Sequence, residues 1–255
     1  MILPLKLKEA FTSLPWPFLL AVGRGILTAI FSLARFLEGT LENYPALLWS
    51  FFFGLVAASM ITVTKRVKQW NATAIASLVV GTIFAYFLVG LVPVETTNAP
   101  WFLFLSGAIA ICAMILPGIS GSFILVLLGK YEYILSAVNT RDFFTLFLVA
   151  AGAGIGLVTF AQVLGWLFKR YHDLTVALLI GFMVGSLRKI WPWKETIETY
   201  VDRHGEILPL VQNNILPASV DSTVIFALVL AIVGFILVFG LDYWASTQET
   251  AGKPA

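Results

Sequence analysis

The residues with the clearest chemical reading are Pro117-Gly118-Ile119-Ser120-Gly121-Ser122, which interrupt a charge-free run from Thr96 to Gly129. Inside a bilayer every backbone N–H and C=O must find a partner. Pro117 has no N–H to give and disrupts a helix. Gly118 and Gly121 accept backbone conformations that other residues resist. A helix broken here exposes the N-terminus of a new half-helix beginning near Ser122. Its orphan N–H groups and partial positive charge suit an anionic oxygen, phosphate above all. Ser120 and Ser122 add hydroxyl donors. A proline kink repaired by neighbouring helices is the plainer alternative. The Pro-Gly-x-Ser-Gly-Ser pattern, set in a run too long for one pass, favours a site.

A few charged residues could join it. Lys130 follows the run and could attract a phosphate. Glu132 could pair with Lys130 or Arg141, or take up protons. Arg35 and Glu38 lie at the end of an apolar stretch, and ionisable groups within spans are functional candidates by default. Snorkelling and interfacial anchoring are the competing roles for all of these. Enzyme motifs are missing: the sequence has no H-E-x-x-H and no G-x-S-x-G. Its two histidines, His172 and His204, fall in loops, and no cluster of metal ligands is visible. No cofactor is expected, and no metal.

These residues must be held by membrane helices. The 255-residue chain is 59% hydrophobic and 12% charged, against about 25% charged in a soluble domain. It cannot cover a soluble surface, so its excess apolar area must face lipid. A net charge of +2 gives no reason to expect nucleic acid. The single cysteine, Cys112, sits in an apolar run as a small apolar residue. A spanning helix needs about 20 apolar residues. Asn43 to Thr64, Gln69 to Val94, Phe143 to Phe168 and Ser222 to Leu241 supply that length without a charge. Phe18 to Leu37 does so with Arg24 and Arg35 inside it. Leu174 to Leu187 is short. Trp191 to Val220 holds Lys194, Glu195, Glu198, Asp202, Arg203 and Glu206 and reads as an extramembrane connector.

The chain also repeats itself. A shift of 127 places Gly25 on Gly152, Ala34 on Ala161, Leu37 on Leu164, Tyr44 on Tyr171, Gly54 on Gly181 and Ser59 on Ser186. A shift of 150 places Thr73 on Thr223, Ile75 on Ile225, Leu78 on Leu228, Val79 on Val229 and Gly90 on Gly240. The extra length is the polar connector after Arg188. A re-entrant broken hairpin followed by three spans is an odd number of crossings, so consecutive repeats point in opposite directions, as in many transporters. The expected fold is therefore an all-α polytopic membrane protein of two inverted repeats, residues 1–95 and 96–255. Shifted by 127, the Pro117 motif falls before Met1. The first repeat is expected to lack its hairpin, through a late start or through loss. Lys65, Arg66, Lys68, Lys169 and Arg170 mark the cytoplasmic side by the positive-inside rule. Arg188, Lys189 and Lys194 then fall outside, against that rule.

Leu47 to Leu55, Trp101 to Phe123, Gly129-Lys-Tyr-Glu132 and Gly185-Ser-Leu-Arg-Lys-Ile-Trp-Pro-Trp-Lys194 resemble a bacterial membrane family, the PopT-type polyprenyl-phosphate (undecaprenyl phosphate) transporters. The resemblance covers nearly the whole chain. It implies a multi-pass protein of the bacterial cytoplasmic (inner) membrane that returns undecaprenyl phosphate from the outer to the inner leaflet for reuse in cell-wall precursor synthesis. It carries over Pro117, Gly118, Ser120, Gly121, Lys130 and Glu132 as motif positions. The family also opens with a first Pro-Gly-x-Ser-Gly hairpin and its own Gly-x-Tyr-Glu, and this sequence has neither. The expected partner is a polyprenyl phosphate lipid, with a homo-oligomer left open. A small-anion carrier, a lipid-phosphate enzyme and a purely structural membrane protein stay as alternatives.

Overall fold

Short polar signals set the helix boundaries. Pro45 and Pro100 open helices at positions where the missing N–H costs nothing. Asn71 Oδ1 accepts from Ala74 N–H at 2.9 Å, Asp142 Oδ1 from Thr145 N–H at 3.2 Å and Asp221 Oδ1 from Val224 N–H at 3.0 Å. Each is a side chain satisfying one orphan donor of a first turn. The structure is a computed structural model that describes residues 16–201 and 207–251. Its elements are α1 (Trp16–Asn43), α2 (Pro45–Thr64), α3 (Ala72–Leu88), α4 (Pro100–Ile115), α5 (Gly121–Leu127), α6 (Tyr131–Thr140), α7 (Phe143–Arg170), α8 (His172–Ile190), β1 (Lys194–Val201), β2 (Ile207–Asn214) and α9 (Ser222–Ala251).

Among the described residues, stretches of α1, α2, α7 and α9 are long and apolar enough to cross a membrane. The bent pair α5 and α6 passes the same test only when taken together. Large apolar side chains such as Val80, Phe87, Phe147 and Ile236 lie on the outer surface. A soluble monomer does not carry so continuous an apolar exterior, so this is a multi-pass membrane protein.

The expected spacings reappear as element boundaries. α2 and α8 begin at Pro45 and His172, 127 residues apart. α3 and α9 begin 150 apart, at Ala72 and Ser222. Tyr44 and Tyr171 precede α2 and α8 with matching backbone angles, φ −138° and ψ 53° against φ −137° and ψ 53°. Asn71 and Asp221, also 150 apart, cap α3 and α9.

Packing is crossed between these sets. α2 lies on α9 and α3 lies on α8. Gly54 comes so close to α9 that a Cβ would lie 1.9 Å from the Ala231 carbonyl oxygen. Its counterpart Gly181 meets α3, where a Cβ would lie 2.3 Å from Leu78 O and 3.1 Å from Gly81 C. Gly81 and Ala231 are themselves 150 residues apart. The small residues let backbones touch, which is how helices associate without a hydrophobic drive between them. α8 is the central helix, with Thr175, Val176, Ala177, Ile180, Gly181, Phe182, Met183, Gly185 and Ser186 buried.

The two ends of the bundle differ. At one, Asp173 accepts from the N–H groups of Lys68 and Gln69, both at 3.0 Å, and Lys65 reaches Asp242 at 3.2 Å. The basic clusters Lys65–Lys68 and Lys169–Arg170 thus share that end. At the other, the connector differs from expectation. It is not a plain solvated loop but a two-stranded hairpin set into an otherwise helical membrane fold. β1 and β2 pair antiparallel, with Lys194 opposite Asn214. The charges drew attention to solvent, but Thr196, Ile197, Thr199, Tyr200 and Val201 are residues that favour a pleated surface. A second addition is α6, which turns 102° from α5.

The paired caps give a first prediction. Asn71→Ala and Asp221→Ala should each cost about 0.5–2 kcal/mol. Thermal unfolding of the purified protein in detergent would show matched losses if α3 and α9 are equivalent in the fold.

Candidate functional site

Residues 116–120 break the Thr96–Gly129 run into two helices that fold back on each other. Gly118 has φ +88°, a left-handed conformation that most residues avoid. Gly121 lets α5 return against α4, since a Cβ there would lie 2.8 Å from Ala110 O. Ile119 is buried and joins Ala113 and Ile124, with Leu88, Phe123 and Leu128 packed around them. The two ends of the run are tied together. Val94 N–H donates to Leu127 O at 3.0 Å, and Thr96 Oγ1 donates to Leu128 O. Gly129, at φ +62°, sits against the Val94 carbonyl.

The tip of this hairpin meets α8. A Cβ on Gly118 would lie 2.2 Å from Ser186 Oγ and 3.4 Å from Phe182 O. Ser186 is buried, and its hydroxyl donates to Met183 O at 2.8 Å. One turn on, Lys189 Nζ stands 5.0 Å from the centre of the Phe123 ring. A cation over an aromatic face is favourable, and here it holds an ammonium beside the first turn of α5.

Ser120 and Ser122 are both exposed. Ser120 Oγ accepts from Phe123 N–H at 3.1 Å and caps α5, and the two hydroxyls share a hydrogen bond at 2.7 Å. The N–H groups of Gly121 and Ser122 carry no hydrogen bond among the described residues. α5 has seven residues, so the local donors and Lys189 matter more than a long helix dipole. Together they are two hydroxyls, two amide donors and one ammonium at a break between apolar helices. This set can hold an anion's oxygens.

The other expected site residues lie elsewhere. Lys130 is at the opposite end of α5 from Ser120. Its side chain is 1% exposed, and Nζ donates to Thr96 O at 2.7 Å and to Asn98 Oδ1 at 2.6 Å. The rings of Phe102 and Tyr133 flank it at 5.7 and 5.9 Å. Lys130 therefore clasps the segment entering α4 to the segment leaving α5. Glu132 is half-buried in the first turn of α6, where a carboxylate suits the helix N-terminus. Arg35 lies on α1, and its side chain falls outside the described residues. In the sequence Ser186 was a repeat match and Lys189 a charge against the positive-inside rule, both inside the Gly185–Lys194 motif but with no role in the site assigned to either. Their spacing of three on one helix face was the available signal.

The family model described as undecaprenyl phosphate translocase-like matches residues 1–208. The chain is 42% identical over 234 residues to a protein of Vibrio cholerae named polyprenyl-phosphate transporter, covering 89% of this chain and 76% of that one. It is 29% identical over 201 residues to a Staphylococcus aureus protein of the same name, covering 69% and 70%. No solved structure matches.

Proposed function

The chain belongs to the undecaprenyl phosphate translocase-like family, and from that membership we propose that it carries a polyprenyl phosphate across the bacterial cytoplasmic membrane. It acts as a transporter and not as an enzyme, in keeping with the names of its relatives. The carried lipid is undecaprenyl phosphate, returned from the outer to the inner leaflet for reuse in building the cell envelope.

One observation carries the site. The left-handed Gly118 presses the hairpin tip onto Ser186 of α8, leaving Ser120 and Ser122 exposed and Lys189 over the ring of Phe123. The phosphate binds there to Ser120, Ser122, the free N–H groups of α5 and Lys189. Pro117, Gly118 and Gly121 shape the break. Lys130 and Glu132 hold the roots of the hairpin, and Arg35, a residue of α1, is a further candidate to meet the headgroup. The polyprenyl tail stays in lipid outside the helices.

Alternating access follows from the repeat. The matched element starts, the twin tyrosine turns and the crossed glycine contacts support two inverted repeats, 1–95 and 96–255. The shared end of the Lys65–Lys68 and Lys169–Arg170 clusters supports a re-entrant hairpin and a cytoplasmic face there. The hairpin then opens from the outer side. Rocking of one repeat against the other exposes the headgroup to each leaflet in turn.

The test is cellular. In bacteria stripped of their own polyprenyl-phosphate transporters, expression of this chain should lower outer-leaflet undecaprenyl phosphate several-fold. An unchanged outer-leaflet pool at full expression would reject the assignment. Release of inorganic phosphate from undecaprenyl pyrophosphate by purified protein would point instead to an enzyme.

A further inference from the structure

The end of α8 remote from His172 gathers cations in a way the positive-inside rule does not explain. Arg188, Lys189 and Lys194 line a cavity of about 90 Å³ together with Gly90, Gln212 and Asn214. That is about three times the ~30 Å³ share of one water, room for the oxygens of a phosphate group. One wall is the returning strand β2, so the unexpected β-hairpin forms part of the chamber.

Neutral groups position each cation. Arg188 Nη1 donates to Tyr86 O at 3.0 Å, and the guanidinium lies 4.5 Å from the centre of the Tyr86 ring. Gly90 is bare where the guanidinium passes, since a Cβ would lie 2.2 Å from Nη1. Lys194 donates to Lys189 O and stands 5.0 Å from the centre of the Trp49 ring. Asn214 Nδ2 donates to Arg188 O at 2.9 Å and ties the strand to the helix end. Among the described residues the ion pairs are Lys65–Asp242 and His172–Asp173, and neither involves these cations. Three like charges held together with no ion-pair partner among the described residues repel and lose solvation. A dianion with several acceptor oxygens relieves both, and a guanidinium is well shaped to receive it.

We propose that this chamber is a loading site for a phosphate monoester, where the lipid headgroup docks at the outer mouth before passing to the hairpin tip. The proposal rests on the transporter reading. Lys189 links the two places, lining the chamber and standing over Phe123 of α5. The passage is a relay along one helix end, with Lys189 common to both stations.

Burial, with the nearby Lys189 charge adding to it, brings Lys194 down to about 8. The other walls, Val89 to Val92 and Val211 to Asn214, and the facing Trp49 contribute no titratable group. A phosphate monoester is already mostly dianionic above its second pKa of about 6. Raising the pH from 7 to 9 therefore removes charge from Lys194 and leaves the ligand's charge in place. Binding should weaken across that window.

The test uses the full chain in nanodiscs with two probes, a short-chain polyprenyl phosphate and inorganic phosphate. Lys194→Gln should weaken lipid binding about tenfold at pH 7 and flatten the loss between pH 7 and 9. Gln212→Glu, which places a carboxylate among the cations, should block binding and raise the pH at which Lys194 titrates. Gly118→Val should stop transport while the chamber still takes the headgroup. Wild-type affinity and pH dependence in Lys194→Gln and Gln212→Glu would overturn the chamber and leave the transporter reading intact. Equal affinity for inorganic phosphate and the lipid would also overturn it, making the chamber a free-phosphate site. Absence of lipid binding and transport in the wild-type chain would reject the transporter reading itself.

Discussion

Gly118→Val should reduce lipid carriage at least tenfold, towards the rate of protein-free vesicles. Two costs fall on this position. The backbone at φ +88° is left-handed, which costs a residue with a Cβ about 1–2 kcal/mol and a β-branched one more. The added Cβ would also lie 2.2 Å from Ser186 Oγ, well inside contact distance, so the tip must withdraw from α8. Withdrawal moves α5, with Ser120, Ser122 and Phe123, away from Lys189 of α8 and disrupts the proposed anion-holding set. Gly118→Ala carries the smaller backbone cost, and combined with Ser186→Gly it removes the clash. That double variant should recover part of the rate lost by Gly118→Ala alone. Leaflet exchange of a labelled polyprenyl phosphate in vesicles measures all three. Equal loss in the single and double variants would show that contact with Ser186 does not govern the site.

Gly181→Leu should be among the most destabilising single changes in the bundle. A Cβ there would lie 2.3 Å from Leu78 O and 2.9 Å from Thr82 N. These are backbone atoms of α3, so no side chain can swing aside to make room. Overpacking of a well-filled core costs about 1–3 kcal/mol, and backbone contact puts this case at the upper end. Gly54→Leu should behave alike, because its Cβ would lie 1.9 Å from Ala231 O in the matching interface. Thermal unfolding in detergent is the measurement. A large drop at Gly181 with none at Gly54 would show that the two crossings are not equivalent. By contrast Gly154 and Gly165, on the same long helix α7, have nothing within 4 Å of a Cβ, and alanine there should be tolerated.

Much of the bundle was readable from composition and spacing. The offsets of 127 and 150 reappear in the starts of α2 and α8 and of α3 and α9, because those starts are fixed locally by a proline, a tyrosine turn or an Asn/Asp cap. The break at Pro117 was readable for the same reason: a missing N–H and two glycines act on the chain before any partner helix is present. The β-hairpin was not readable from charge alone. Its glutamates and lysine signal exposure to water, and the strand preference of Thr196, Ile197 and Thr199 carries the structural information instead. The reach of Lys130 was hidden too. Sequence placed it beside the hairpin, but α5 carries it to the far end, where Thr96 O and Asn98 Oδ1 fix its ammonium. Ser186 and Lys189 enter the site only because α8 crosses the hairpin tip. That is a tertiary fact linking residues more than sixty positions apart, which no local pattern states.

The breach of the positive-inside rule also finds a physical reading. Lys65–Lys68 and Lys169–Arg170 share one end of the bundle, as orientation by basic loops requires. Arg188, Lys189 and Lys194 lie at the other, around a cavity and not in an open loop. These charges are held against Tyr86, Phe123 and Trp49, and the proposed loading site gives them a role other than setting orientation.

The central claim is tested most directly by reconstitution. The purified chain is placed in vesicles carrying a labelled polyprenyl phosphate in one leaflet, and the rate at which the label reaches the other leaflet is followed. The wild-type chain should exceed protein-free vesicles at least tenfold, with Ser120→Ala and Lys189→Gln each slower than wild type and Gly118→Val near background. Exchange no faster than in protein-free vesicles, or full wild-type speed in Gly118→Val, would contradict a phosphate carrier built on this hairpin.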